Sequence, residues 1–371
     1  MEASPGGQSR AGVRREFCTL FDGDFLPRAL ALYRSLERVG ASFHLRAYAM
    51  EPGLAGLLDR LELPHLTAID VSELESADRD LAAIRSDRTW AEYCFTATPC
   101  VCRHSLQSDP ALGEITYLDA DLMFFADPEV LFEEIGRASV AVVPHRFSSR
   151  WAHCQATHGT YNVGFNTFRR DQAGLAALDW WRERCLEWCH LRFEPGRYAD
   201  QGYLDEFPGR FAAVHVIEHR GAGLAPWNAE DAVLERRDDL VHVDGQALVF
   251  YHFASLHLYR GDAPAVLSRL GSSLGWALPA LSAYRRAAHG SESFVWRPFP
   301  GYRLSAPELE LVWEPYVARL MEALGELREA DASFDRGLSE TGPVPMLVDA
   351  ARGSVPGVVR RLRAQRRRRA A

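Results

Sequence analysis

The chain has 371 residues, 47% hydrophobic and 25% charged, with a formal net charge of −8; this is globular composition, long enough for one large domain with additions or for two. The acidic balance argues against nucleic-acid binding by the body of the protein. There is no Lys, so all 42 basic residues are Arg, and the seven Cys contain no C-x-x-C pair, which points to free thiols in a reducing compartment.

Residues 1–13 are small and polar and are expected to be disordered. They have no apolar core of the kind a secretory signal needs. "EFCTLF", Glu16 to Phe21, is a short apolar run that reads as a buried strand, and Asp22-Gly23-Asp24 supplies turn chemistry. "LPRALALYRSLERVG" follows, with Leu26, Leu30, Tyr33 and Leu36 at helical spacing and Gly40 placed to end the helix. "FHLRAYAM" alternates like a strand. Strand, helix and strand in about thirty residues form a βαβ unit and imply a parallel sheet.

The alternation continues. "AGLLDRL" reads as helix and "LTAIDV" as strand. "TWAEYCFTATPCVCRHSL" is expected to be a helix interrupted at Pro99. "ITYLDADLMFF", "ASVAVVPH" and "TYNVGFNTFR" read as strands. "DQAGLAALDWWRERCLEWCHLRF" is a long helix with Asp171 as N-cap, and "AAVHVIEH" and "ALVFYHF" complete the strand set. Beyond Gly261 helical texture dominates. The expected organisation is an α/β domain over 14–260, a helical C-terminal extension over 261–340 and a flexible Arg-rich tail over 341–371. No apolar run reaches the length of a membrane span, so a soluble cytoplasmic protein is expected. The tail "VVRRLRAQRRRRAA" is a solvated end or a peripheral contact with an anionic membrane surface, at roughly 1 kcal/mol per basic residue. RNA contact is a weaker option.

The chemistry is concentrated at "ITYLDADLMFF". Asp119 and Asp121 lie in an otherwise apolar stretch, and an unpartnered buried carboxylate is costly. In a parallel α/β sheet ligands bind beyond the carboxyl ends of the strands. Period-two geometry points both acids the same way, with Ala120 opposite, and a divalent cation would remove their repulsion while holding substrate phosphates. The competing readings are turn or capping aspartates, and a phosphatase motif of the D-x-D-x-[TV] type, for which Met123 is the wrong residue.

"YLDADLMFF" resembles the D-x-D segment of GT-A glycosyltransferases. "FCTLFDGDFLPRALALYRSL", "YNVGFNTFRRD", "ADQGYLDEF", "LAPWN" and "VFYHFAS" resemble, in the same order, motifs of the family 8-like, nucleotide-sugar-dependent enzymes over about residues 16–258. The resemblance implies a GT-A α/β fold with a mixed, mainly parallel sheet flanked by helices. It implies metal ligation of Mn²⁺ or Mg²⁺ by Asp119, Asp121 and His252, where an imidazole ligand favours Mn²⁺. It places Leu20, Arg88, Asp119, Ala120, Asn162, Gly164 and Asn228 around the donor, and Asp200 and Gln201 against the transferred sugar as catalytic residues. The implied partners are a nucleotide-sugar donor, UDP-linked by family habit, and a glycan, lipid-linked or small-molecule acceptor. "HFASLHLYRGD" departs from the family's terminal motif by lacking Lys, and Arg260 is the candidate substitute at the diphosphate. Asp200 could instead cap a helix beginning at Gln201, and Arg88 could be solvated. A sugar-1-phosphate nucleotidyltransferase would need a Gly-rich N-terminal loop that "LFDGDFLPR" lacks. A non-catalytic nucleotide-sugar or glycan-binding protein is the remaining alternative.

Overall fold

The computed structural model describes residues 13–254, 256–260, 284–286, 292–296 and 305–331. The N-terminal and Arg-rich tail expectations and the side chain of Arg260 lie outside the described residues. The chain opens with β1 (Arg15–Phe21), helix α1 (Leu26–Arg38) and β2 (Phe43–Ala49), followed by β3 (Leu66–Asp70), β4 (Glu114–Leu118), β5 (Leu122–Phe124), β6 (Val140–Pro144), β7 (Tyr161–Arg169) and β8 (Val214–Val216). Seven of these strands form one sheet in the order β3-β2-β1-β4-β7-β6-β8. All of its neighbouring pairs are parallel except those made by β7, which runs antiparallel to β4 and β6. The expected mixed, mainly parallel sheet flanked by helices is therefore the architecture of the chain.

The period of two in β1 sorts side chains to opposite faces. Phe17 and Phe21 pack with Leu26, Leu30 and Tyr33 of α1 on one face. Cys18 and Leu20 pack on the other face, in a cluster with Tyr93 and Val101 of the helix Trp90–Ser108 and Trp181 of the helix Gln172–Glu187. Gly40 adopts a left-handed φ of +73° just past α1, and its N–H bonds the Glu37 carbonyl at 3.1 Å, so the turn needs a residue without a Cβ penalty. Asp171 caps the helix Gln172–Glu187 by accepting from Gly174 N–H at 2.8 Å.

The helix Trp90–Ser108 continues through Pro99, contrary to the expected interruption. Its start is locked by a capping box between Thr89 and Glu92, and its middle is buried, including Thr96, Ala97, Pro99 and Cys100. End anchoring and packing outweigh the one backbone hydrogen bond that proline forfeits. The helix beginning at Gln172 ends at Glu187 rather than near Phe193.

Two small sheets complete the site side. β9 (Ala222–Leu224) precedes β10 (Leu234–Arg237), β11 (Leu240–Val243) and β12 (Gln246–Ala247), which form a three-stranded antiparallel sheet. β13 (Phe250–His252) lies between β5 and β9, antiparallel to β5 with His252 opposite Leu122. In the segment expected to be a helical extension, the described elements are strands Tyr284–Arg286 and Glu292–Trp296 and a helical run over 306–330. Both strands pair with Leu256–Arg260 or with each other in an antiparallel sheet. Leu311, Trp313, Tyr316, Leu320 and Leu327 join the same core as Phe17, so the run over 306–330 is built into the main core. Among the described residues no helix is long and apolar enough to cross a membrane.

Candidate metal centre

β1 has β2 on one side and β4 on the other, which makes the gap between β1 and β4 a topological switch point, the place where open α/β sheets bind ligands. β4 ends there at Leu118, and the turn Asp119-Ala120-Asp121 carries the chain from the large sheet into β5 of a small one. That turn is stitched in place on both sides. Asp119 N–H donates to the Gly164 carbonyl of β7 at 3.1 Å, and the Asp121 carbonyl accepts from Phe253 N–H at 2.9 Å. Ala120 is buried in the core behind the turn, so the two acids share the open side.

The antiparallel pairing of β5 with β13 brings His252 to them. His252 Nε2 lies 3.1 Å from Asp121 Oδ1 and 3.6 Å from Asp119 Oδ2. One ligand atom from each of the three residues lies within 4.8 Å of the others. Two carboxylate oxygens and an imidazole nitrogen converging on one point are a donor set suited to a divalent first-row metal, so the residues fit such an ion.

The electrostatics are those of a crowded acidic site. Burial pushes Asp119 up to about 6; His252 opposes this and the neighbouring Asp121 charge adds to it. At Asp121 burial acts upward too, but His252 and Arg28 overcome it and hold the carboxyl below its ordinary value. His252 is raised, because the attraction of both acids exceeds the burial that would lower it. Asp200 is buried and pushed up to about 7, first by desolvation and then by the charge of Asp119, with a Thr98 hydrogen bond opposing. The short 3-10 helix Gln201–Glu206 carries no side-chain cap, so Asp200 does not act as the helix cap considered from sequence.

The other expected residues fall in different places. Asn162 and Gly164 sit on β7 beside His252: Asn162 Oδ1 accepts from Gly164 N–H at 2.8 Å and lies 3.1 Å from His252 Nδ1. Asn228 turns inward, with Oδ1 accepting from Ala225 N–H at 2.9 Å and Nδ2 donating to the His145 and Gly223 carbonyls at 2.8 and 2.9 Å. Its side chain shapes the "LAPWN" turn. Gln201 donates to the His158 carbonyl at 2.8 Å. Leu20 is buried on β1 with only its edge exposed. Arg88 donates to the Leu186 carbonyl at 3.1 Å, which ties it to the end of the helix Gln172–Glu187. Sequence reasoning leaves His145 unassigned and does not single out Arg28, Thr98, Tyr117, which hydrogen-bonds Asp119, or Trp227, which packs edge-on to the His252 ring at 5.2 Å. His145, Asn162 and Trp227 meet only through tertiary packing, and the strand-end position of His145 in "VAVVPH" was its only local signal.

No model of a known protein family matches the chain. Two Bacillus subtilis (strain 168) proteins, both described as uncharacterized, do match. YfnF is 34% identical over 249 residues, covering 65% of this chain and 82% of YfnF. YfnD is 30% identical over 244 residues, covering 65% of this chain and 78% of YfnD. The chain belongs to the YfnF/YfnD family. Solved structures similar to this family member include mouse xyloside xylosyltransferase 1 in its apo form, with TM-score 0.42 and 15% identity, covering 65% of this chain and 97% of that one. The galactosyltransferase LgtC with donor and acceptor sugar analogues aligns with TM-score 0.43 and 13% identity, over 64% and 87% of the two chains. The apo-form glycosyltransferase GlyE of Streptococcus pneumoniae TIGR4 aligns with TM-score 0.45 and 14% identity, over 85% and 63%.

Proposed function

We propose that this YfnF/YfnD family member is a metal-dependent GT-A glycosyltransferase, which moves a hexosyl unit from a nucleotide-diphosphate donor to a glycan, lipid-linked or small-molecule acceptor. The observation that carries the reading is the convergence of Asp119, Asp121 and His252 from two strands onto one point at the sheet's switch point. Mn²⁺, or Mg²⁺, is the expected ion and a UDP-sugar the expected donor. When bound, the cation would neutralise the diphosphate and stabilise it as a leaving group.

The protein's own part is positioning and charge placement. Asp119 and Asp121 would hold the ion, and His252 would supply the nitrogen ligand. Asp200, buried and titrating near neutrality, can exchange hydrogen bonds with sugar hydroxyls as donor or acceptor. Gln201 sits next to it at the start of the same turn. Leu20 stands at the donor's side of the strand ends, Ala120 backs the turn that presents the two acids to the donor, and Gly164 lets Asn162 and His252 pack closely against β7 beside it. Arg88 would need to leave Leu186 to reach a diphosphate.

The test is thermal unfolding with UDP, GDP or dTDP, each with Mn²⁺ or EDTA, in wild type and Asp121→Ala. A ligand at a hundredfold excess over its dissociation constant stabilises by about 2.7 kcal/mol. One nucleotide should raise the midpoint only with metal, and Asp121→Ala should abolish the shift. Release of that nucleoside diphosphate from the matching sugar donor would separate an enzyme from a binding protein. No shift with any pair would sink the proposal.

A further inference from the structure

We propose that Asn162 is a positioning residue that fixes the tautomer and aim of His252, so that His252 presents Nε2 to a metal held with Asp119 and Asp121; this rests on the metal-site reading above. The hydrogen-bond directions follow one from another. A backbone N–H can only donate, and Gly164 N–H meets the Asn162 side chain at 2.8 Å. The atom it meets is therefore the amide oxygen. His252 Nδ1 lies 3.1 Å from that same oxygen, which has no proton to give, so Nδ1 carries one. A neutral imidazole has a single N–H. With Nδ1 committed to Asn162, Nε2 is the nitrogen left to face Asp121 and Asp119; it donates to Asp121 when no metal is bound, and a metal ion would displace that proton and take the Nε2 lone pair.

The far side of the amide agrees. Asn162 Nδ2 is a donor and lies 3.3 Å from His145 Nε2, so that nitrogen accepts and His145 is neutral. Burial enforces this, pushing His145 down to about 3. His145 is itself fixed: its ring stacks on Phe147 at 4.6 Å, and its carbonyl accepts from Trp227 Nε1 at 3.0 Å. A flipped Asn162 amide would set its NH₂ against the Gly164 N–H, which is a donor whatever tautomers the two imidazoles take. Only one orientation satisfies all three neighbours.

Such a partner matters because rotation about χ2 of His is loosely restrained. His252 stands on β13 and Asn162 on β7, in different sheets, and the bond between them couples the ligand to the large sheet. The two acceptor sites of Oδ1 are filled by Gly164 and His252 and one N–H by His145, so at most one N–H remains for a sugar hydroxyl. Partners of this kind commonly change metal affinity ten- to hundredfold when removed.

The experiment titrates the full chain with Mn²⁺ alone, with no nucleotide present, and reads free Mn²⁺ by electron paramagnetic resonance. Asn162→Ala should weaken binding ten- to hundredfold, while Asn162→Asp, which keeps an oxygen facing Nδ1, should stay within about threefold of wild type or bind tighter. Equal affinity in wild type and Asn162→Ala, or equal losses in both variants, would overturn the role of Asn162 and leave the metal site standing. No Mn²⁺ binding by wild type would overturn both. A measurement needing no variant accompanies these: histidine ¹⁵N resonances of the wild type loaded with diamagnetic Zn²⁺. A proton on Nδ1 and metal at Nε2 of His252 supports the proposal; the reverse assignment refutes it.

Discussion

Gly164→Ala isolates the close packing of β7 against His252, the proposed nitrogen ligand. A Cβ at Gly164 would stand 2.7 Å from Asn162 Oδ1, 3.0 Å from His252 Nδ1 and 3.3 Å from His252 Cε1. The first of these is closer than packed atoms tolerate, so something must move. Asn162 cannot give way freely, since Oδ1 holds both Gly164 N–H and His252 Nδ1. Nor can β7 retreat, because its Gly164 carbonyl accepts from Asp119 N–H. Overpacking of this kind costs about 1–3 kcal/mol, and each weakened hydrogen bond adds about 0.5–1.5 kcal/mol. We expect a loss of about 2–4 kcal/mol, seen as a fall in melting midpoint on the order of 5–15 °C. Mn²⁺ affinity should drop at least tenfold, because the displaced amide no longer holds His252. Differential scanning fluorimetry and a Mn²⁺ titration measure the two effects. A variant that melts within about 2 °C of wild type and binds Mn²⁺ equally well would refute the reasoning.

Asp78 pairs with Arg182 in a largely buried contact, Arg182 Nε to Asp78 Oδ2 at 2.6 Å, and its other oxygen accepts from Leu81 N–H at 3.1 Å. Asp78→Asn should cost about 2–3 kcal/mol, below the full value for a broken buried pair because Asp80 still reaches Arg182. Burial alone would raise the Asp78 carboxyl, but Arg182 and the Leu81 N–H overcome it and hold the group below its ordinary value. Its stabilisation is therefore present above the unfolded value of about 3.9 and lost as pH falls through the lower folded value. Urea melts of wild type and Asp78→Asn should converge below about pH 3.9; a gap that stays constant in acid contradicts this account. Trp313 packs edge-on to Tyr251 at 5.9 Å and Phe253 at 5.1 Å, the residues on either side of His252. Trp313→Ala should destabilise by about 3–5 kcal/mol and lower Mn²⁺ affinity as well, whereas an unchanged melt would show that the run over 306–330 is dispensable to the core.

Local chemistry made much of the chain legible in advance. Phe17 and Cys18 alternate between two cores because a strand has a period of two. Gly40 and Asp171 mark helix ends because one supplies left-handed backbone and the other an N–H acceptor. The acids of "YLDAD" stood out because an apolar strand seldom ends in two carboxylates without a use for them. These features depend on residues next to one another, and adjacent residues are what a sequence displays.

The places where the reading strayed depend on distant ones. Pro99 was expected to break a helix that burial and a capping box keep whole. The helix over 172–187 stops earlier than its composition suggested. Arg88 stays a candidate for the diphosphate, but its resting partner, the Leu186 carbonyl, is one that no local pattern displays. The aim of His252 was not readable at all. It depends on the register that sets His252 opposite Leu122, on an Asn162 amide oriented from both sides, and on a C-terminal helix closing over β13. Sequence alone determined which residue types were available at the strand ends. Tertiary structure decided which atoms of them face one another, because side-chain direction is set by packing and hydrogen bonds between segments far apart in the chain.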